Sequence, residues 1–173
     1  MTAMVNKIGT LHNLLDYDGC KFFLSEMQLK QRLPGWVKES GSMNLKTVLQ
    51  QYIAFVEEHI LKISNFFNED KVSSLSVTSR IIQAYIEELD EKIFQCSDIE
   101  VKDACLLAGI QAINHFKISS YGTAAAFSNA LGMPRAASLF HDLELNEKEI
   151  DQRLSELAEK EINIRAKLPI ALP

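Results

Sequence analysis

Two glutamates stand where apolar side chains are expected. Glu26 falls within the series Phe22, Leu29, Leu33, Trp36, and Glu147 within Ala136, Phe140, Leu143, Ile150, Leu154, Leu157, each at alternating steps of three and four. An ionised carboxylate carried into a core without a partner costs several kcal/mol, so each of these acids calls for a metal, a cation, a proton or water. A third polar group, Asn114, His115 and Lys117, interrupts the otherwise apolar stretch from Asp98 to Leu131. Carboxylates with a histidine can bind a metal, whereas a lysine ammonium among carboxylates can close an internal ion pair.

The elements that must position these groups read as helices. With 7 Gly and 4 Pro in 173 residues and 47% apolar content, the composition favours long helices over a turn-rich β fold, and one domain is expected. The central stretch opens on Ser97 or Asp98 as a cap, with Glu100 and Asp103 in its first turns. It closes at Gly132 followed by Pro134. A helix over Asp98–Leu131 would be about 50 Å long, which suits one rod of a bundle. Its apolar positions run in two lines, Val101, Cys105, Ala108, Ala112 and Leu106, Ile110, Ile113, Phe127, which marks it as the central helix.

Around it the spacing predicts helices over Asp18–Ser40, Leu45–Asn68, Val77–Gln95 and Arg135–Ala166. Pro34 is expected to kink or end the first of these. The second carries the line Leu49, Ile53, Val56, Ile60, Ile63, Phe67, with Tyr52 and His59 beside it and no acid in the seam. The shorter third helix, with Ile82, Tyr85, Leu89 and Ile93 on one side, is read as a crossover running the length of the bundle. The expectation is therefore an all-α four-helix bundle over 18–166 with an additional shorter crossover helix, preceded by a lead-in at 1–17 and followed by an apolar tail at 167–173. The tail is free to pack on the bundle or on a second subunit.

Several classes find no support. The net charge of −5 is spread along the chain without a Lys/Arg block, so nucleic acid is not an expected partner. No apolar run approaches the ~18 residues of a membrane span and the N-terminus lacks a signal-peptide core, so a cytoplasmic protein without a membrane partner is expected. Cys20, Cys96 and Cys105 are odd in number and widely spaced without a CxxC pair, and they read as idle thiols of a reducing compartment. No nucleophile–base pair, phosphate-binding glycine loop or dinucleotide fingerprint is present.

The stretches EMQLKQRLPGW (26–36), NLKTVLQQYIAFVEE (44–58), VKDACLLAGIQAINHFKISSYGTAAAFSNALG (101–132) and DLELNEKEIDQRLSELA (142–158) resemble the YciE/YciF family of ferritin-like stress proteins. The likeness covers nearly the whole chain after about residue 18, and its most specific part is HFKISSYGT, since helical periodicity does not demand a Tyr-Gly-Thr. The resemblance implies a ferritin-like four-helix bundle, often dimeric, with positions suited to a di-iron or di-manganese site. It matches Glu26 to the acid of the first helix, His115 to the histidine of the third, and Glu147 with Asp151 to acids of the last.

The departures from the family pattern fall on the ligands. Tyr52 stands where the family has a histidine, Phe55 stands near its acid, Asn114 and Lys117 replace two glutamates, and Asn146 replaces another acid. The leading expectation is accordingly a non-catalytic homodimer of stress-associated type with no metal or other cofactor. Its vestigial centre, an ion-pair network, would comprise Glu26, Tyr52, Asn114, His115, Lys117 and Glu147. The alternatives are a single residual metal or an iron- or manganese-dependent oxidase using Glu26, His115, Glu147 and Asp151, with Asp142 and Glu144 as further acids. A helical adaptor exposing an apolar face is the third reading.

Overall fold

A computed structural model describes residues 7–70 and 79–167. Helix α1 spans Leu11–Glu39, α2 Met43–Asp70, α3 Arg80–Gln95, α4 Ile99–Ala130 and α5 Pro134–Leu157. A single π-helical turn over Ala158–Ile162 then leads into the short α6, Asn163–Ala166. Among the described residues no helix is long and apolar enough to cross a membrane. The expected ends of the third helix at Val77 and of the tail fall partly outside the described residues.

Local chemistry sets the boundaries. The Thr10 hydroxyl accepts from the Asn13 amide at 3.1 Å and starts α1 seven residues before the expected Asp18, so most of the residues assigned to a lead-in from Leu11 onward are helical. Pro34 does not end this helix, which runs on to Glu39. The Asp98 carboxylate caps α4 through the Val101 amide at 3.0 Å. At its far end Gly132 takes φ 67°, a left-handed conformation that glycine adopts without steric cost. The Met133 amide then reaches the Ser128 carbonyl at 2.9 Å before Pro134 opens α5.

The four long helices close a ring in which α1 packs on α2, α2 on α5, α5 on α4 and α4 on α1. The short Ser40–Ser42 and Leu131–Met133 turns make α1/α2 and α4/α5 antiparallel pairs. Helix α3 runs parallel to α1 on the outside of the ring. Gln28 meets Gln83 at 3.0 Å, and one turn further along Arg32 Nε and Trp36 Nε1 both donate to Asp90, at 2.8 and 2.7 Å. With 16 residues against 29 in α1 and 32 in α4, this helix covers only about half of the length expected of a crossover, and the segment that joins it to α2 lies outside the described residues.

One end of the bundle is fastened by two carboxylate acceptors, of which Asp103 is buried and Glu161 partly exposed. Asp103 of α4 accepts from Ser40 Oγ at 2.8 Å and from the amides of Gly41 and Ser42 at 2.9 and 2.7 Å. Glu161, in the π turn, accepts from Ser42 Oγ at 2.9 Å and Asn44 Nδ2 at 2.5 Å. The α1–α2 turn is therefore gripped from two other helical segments, and the π turn supplies one of the grips.

The apolar interior divides into two bodies. One gathers Leu33, Trp36, Leu49, Ile110 and Leu154 with their neighbours, the other Phe22, Ile63, Ala124, Phe140 and Leu143. Glu26, His59, Lys117 and Glu147 are buried with these two bodies on either side of them in sequence along each helix. The two apolar lines expected on α4 fare differently. Leu106, Ile110 and Ile113 are buried, but Val101, Ala108 and Ala112 face solvent, and the buried line instead passes through Asp103, Asn114, Lys117 and Tyr121.

A buried lysine between two carboxylates

Each long helix contributes to one polar cluster. Helix α1 brings Glu26, α2 brings Tyr52 and His59, α4 brings Asn114, Lys117 and Tyr121, and α5 brings Glu147, all at most 2% exposed. The spacings explain the convergence. Tyr52 and His59 are two helical turns apart, and Asn114, Lys117 and Tyr121 follow one another at steps of three and four, so each set lies on a single face.

The Lys117 ammonium lies at the middle. It donates to Glu26 Oε2 at 3.0 Å and to the Tyr52 hydroxyl at 3.1 Å, and it sits 2.5 Å from Glu147 Oε1, an oxygen that makes no hydrogen bond of regular geometry. Tyr52 passes its own proton to Glu147 Oε2 at 2.9 Å, where Asn114 Nδ2 also donates at 2.6 Å. The Tyr121 hydroxyl donates to Glu26 Oε1, and His59 Nδ1 lies 3.1 Å from the same oxygen and 3.6 Å from Glu147 Oε1. On the other side of the imidazole, Asn146 Nδ2 stands 3.3 Å from His59 Nε2. The carboxylate facing Nδ1 calls for a proton on that nitrogen, donated to Glu26 Oε1. Asn114 Oδ1 is buried and unpartnered.

The electrostatics follow from this arrangement. Burial alone would raise the Glu26 carboxyl, but the Lys117 ammonium, with His59 and the Tyr121 hydroxyl, overrides it and holds it at about 2. Burial likewise works against the charged Lys117, and Glu147 and Glu26 together outweigh it, so this ammonium is held above its ordinary value. Glu147 moves up, first through burial and then through the neighbouring Glu26 charge, with Lys117 opposing. Both phenols are raised well above their ordinary range, Tyr52 by burial and Glu147, Tyr121 by burial and Glu26, and they stay protonated donors.

A pH signature results. A carboxylate whose folded value lies below its ordinary 4.5 adds stability that is present above 4.5 and is lost as the pH falls towards about 2. Glu147 acts in the opposite sense, since its raised value favours the folded state at low pH. Within the cluster the acid loss therefore belongs to Glu26, and Glu144 and Glu161, also held low by their hydrogen-bond partners, add to it elsewhere. Denaturant unfolding of Glu26→Gln across that window is expected to show a flatter acid limb than the parent chain, and an unchanged limb would remove Glu26 from this role.

Of the residues the sequence singled out, the structure brings together Glu26, Tyr52, Asn114, Lys117 and Glu147. His115 lies elsewhere. Its side chain is 62% exposed and its Nε2 meets Asp151 Oδ1 at 2.7 Å on the outer face of α4 and α5. Neither His115 nor Asp151 can join the centre, because His115 follows Asn114 by one residue and so points about 100° away from it around the helix. Glu144 is likewise outside, paired with Lys148 at 2.6 Å, and Asp142 is exposed.

The histidine of the centre is His59, which the apolar line traced on α2 set to one side. With Glu26 and Glu147 it forms a buried triad in which one ligand atom from each lies within 4.8 Å of the other two. Tyr121 and Asn146 complete the cluster, and Tyr121 belongs to the same Tyr-Gly-Thr that marks the resemblance.

The comparisons agree with this architecture. A family model described as Domain of unknown function (DUF892) matches residues 13–167. Protein YciF of Escherichia coli (strain K12) is 28% identical over 145 residues, covering 83% of this chain and 87% of that protein. The crystal structure of the E. coli stress protein YciF superposes with a TM-score of 0.84 at 25% identity, over 90% of this chain and 99% of that one. The structure of YcfI from Rhodopseudomonas palustris superposes with a TM-score of 0.83 at 24% identity, over 87% and 96% of the two chains.

Proposed function

The chain belongs to the DUF892 family, and from that premise we propose that it is a ferritin-like, stress-associated scaffold protein, working as a homodimer, in which the ammonium of Lys117 takes the place of a metal ion. The observation that carries this reading is the position of the Lys117 nitrogen, 2.5 Å from Glu147 and 2.9 to 3.0 Å from both oxygens of Glu26. Of the two carboxylate charges that divalent ions would balance, one is offset by the Lys117 ammonium, and the remainder is met by the hydrogen bonds of Tyr52, Asn114 and Tyr121.

A pair of iron or manganese ions does not fit these residues. The central ammonium repels them, the triad offers three donors in place of the larger oxygen-rich set that a dinuclear site needs, and Tyr52 and Asn114 face the centre as hydrogen-bond donors through their protons. Every group of the cluster is closed to solvent, which gives a substrate no approach to Glu26 or Glu147. The stress association rests on the similarity to the E. coli stress protein YciF, and the dimer on the family resemblance.

A second reading, a single iron or manganese ion serving an oxidase or ferroxidase-like reaction, is favoured by the Glu26, His59, Glu147 triad alone. It requires Lys117 to lose its proton or swing away. Elemental mass spectrometry on protein purified without chelator and incubated with ferrous iron or manganese separates the two. Metal near zero is expected. Near-stoichiometric metal, lost in Glu26→Ala, would overturn the scaffold reading and establish the second.

A further inference from the structure

Away from the centre, a cavity of about 710 Å³ opens between α1 and α4 beyond the start of α3. That volume falls within the roughly 300–1,000 Å³ of small-molecule sites. Helical spacing builds its two walls. Asp18, Lys21, Phe22 and Ser25 stand at i, i+3, i+4 and i+7 on one face of α1, and Phe116, Ser119, Ser120 and Thr123 repeat that pattern on α4. Ser79, Arg80 and Ile81 close one end.

The lining carries two cations that form no salt bridge with any described residue. Arg80 is exposed, and the Lys21 ammonium rests 4.3 Å over the centre of the Tyr17 ring. The Ser25 hydroxyl gives its single proton to the Lys21 carbonyl at 2.8 Å, so Ser79, 2.6 Å away, is the donor between the two buried serines. Ser79 is thereby drawn away from capping α3, whose first amides have no side-chain acceptor. On α4 the Ser120 hydroxyl donates to the Phe116 carbonyl at 2.7 Å, whereas the exposed Ser119 and Thr123 hydroxyls have no partner among the described residues. Half-buried Phe116 and exposed Ile81 add apolar surface. One acid, Asp18, opposes the two cations, and its carboxyl is pushed up by burial while Lys21 pulls the other way.

We propose that this cavity binds a small organic phosphate, a monophosphate carried on an aromatic ring or a nucleobase. Arg80 and Lys21 hold the phosphate, with the opening turn of α3 and the free hydroxyls of Ser119 and Thr123 as further donors. The ring lies against Phe116 and Ile81. No residue of the lysine–carboxylate centre lines the cavity, so failure of this site would leave the scaffold reading untouched.

The test is calorimetric titration of the full chain with phenyl phosphate and with adenosine monophosphate, and with inorganic phosphate and adenosine as the separated halves. At least one ring-bearing phosphate is expected to bind at a single site per chain, about tenfold or more tighter than either half, and the tighter of the two identifies the kind of ring. Arg80→Gln and Lys21→Gln should each weaken it about tenfold. Asp18→Asn should strengthen it severalfold, a gain that a misfolded variant does not produce. In amide NMR spectra the shifts on binding should fall on Ile81, Ser119 and Thr123. No saturable binding of either ring-bearing phosphate, binding undiminished in both cation variants, a separated half that binds as tightly as the whole, or amide shifts confined to other faces of the bundle would each overturn the proposal.

Discussion

Replacing Lys117 by methionine is expected to destabilise the chain by about 3–5 kcal/mol, because it removes one partner of a buried charged set and leaves the others uncompensated. At roughly 2–4 °C per kcal/mol for a domain of this size, the melting temperature should fall by about 6–20 °C. The direction of its pH dependence should also change. Without the ammonium, Glu26 and Glu147 face one another with only hydrogen-bond donors between them, and both carboxyl groups move up. Groups raised in the folded state stabilise it at low pH, so the variant, with both carboxyls raised, should gain more stability on mild acidification from neutral pH than the parent chain, in which only Glu147 of the pair is raised.

A divalent ion offers the variant the same relief. Glu26, His59 and Glu147 keep their ligand atoms within 4.8 Å, and the obstruction between them is gone. Manganese or zinc at a hundredfold excess over its dissociation constant would return about 2.7 kcal/mol. Differential scanning fluorimetry with and without the ion reads all three effects together. A variant that melts with the parent chain and ignores both acid and metal would show that Lys117 is not the counter-ion of the cluster.

The second large effect is expected at the bundle end. Asp103→Ala deprives the Ser42 amide, the Gly41 amide and the Ser40 hydroxyl of their shared acceptor. Ser40 and Ser42 are buried and Gly41 is exposed, so water can replace only part of what is lost, and the cost should be about 2–3 kcal/mol. Asp103→Asn keeps one acceptor oxygen and should cost about half as much. Hydrogen exchange locates the effect, since the amides of Gly41 and Ser42 should lose protection well ahead of Ile110 or Ile113 in the core. Uniform loss along α4 would instead mean that Asp103 acts on the helix as a whole and not on the turn.

These two sites differ in how plainly the sequence displays them. On α1 and α5 the reading and the structure coincide, because a single acid between leucines, isoleucines and aromatics leaves the helical phase unambiguous. Phe22, Glu26, Leu29, Leu33 and Trp36 are all buried, as are Phe140, Leu143, Glu147, Ile150 and Leu154.

On α2 the line drawn through Ile53 and Ile60 follows residue type where the buried line follows geometry, through Leu45, Leu49, Tyr52, Val56, His59 and Ile63. Two polar residues occupy the inward phase and two isoleucines stand beside it, so apolarity points one position off. An even alternation of four and three steps from Leu45 would have carried Tyr52 and His59 inward together.

On α4 neighbouring letters stand for opposite sides. Asn114 faces Glu147 while His115 faces solvent, and the apolar character of Val101, Ala108 and Ala112 gave no sign that this line lies outside.

A counter-ion supplied by the chain has a further consequence for how such a protein comes to maturity. A bundle that waits for an ion reaches its final form in step with the ion's supply, and competes for it with every other protein that needs it. Here the cation is synthesised with the polypeptide and arrives at its carboxylates when α1, α4 and α5 assemble. On the scaffold reading proposed above, assembly would wait on no ion, and the protein would be expected to be as available under metal starvation as under plenty.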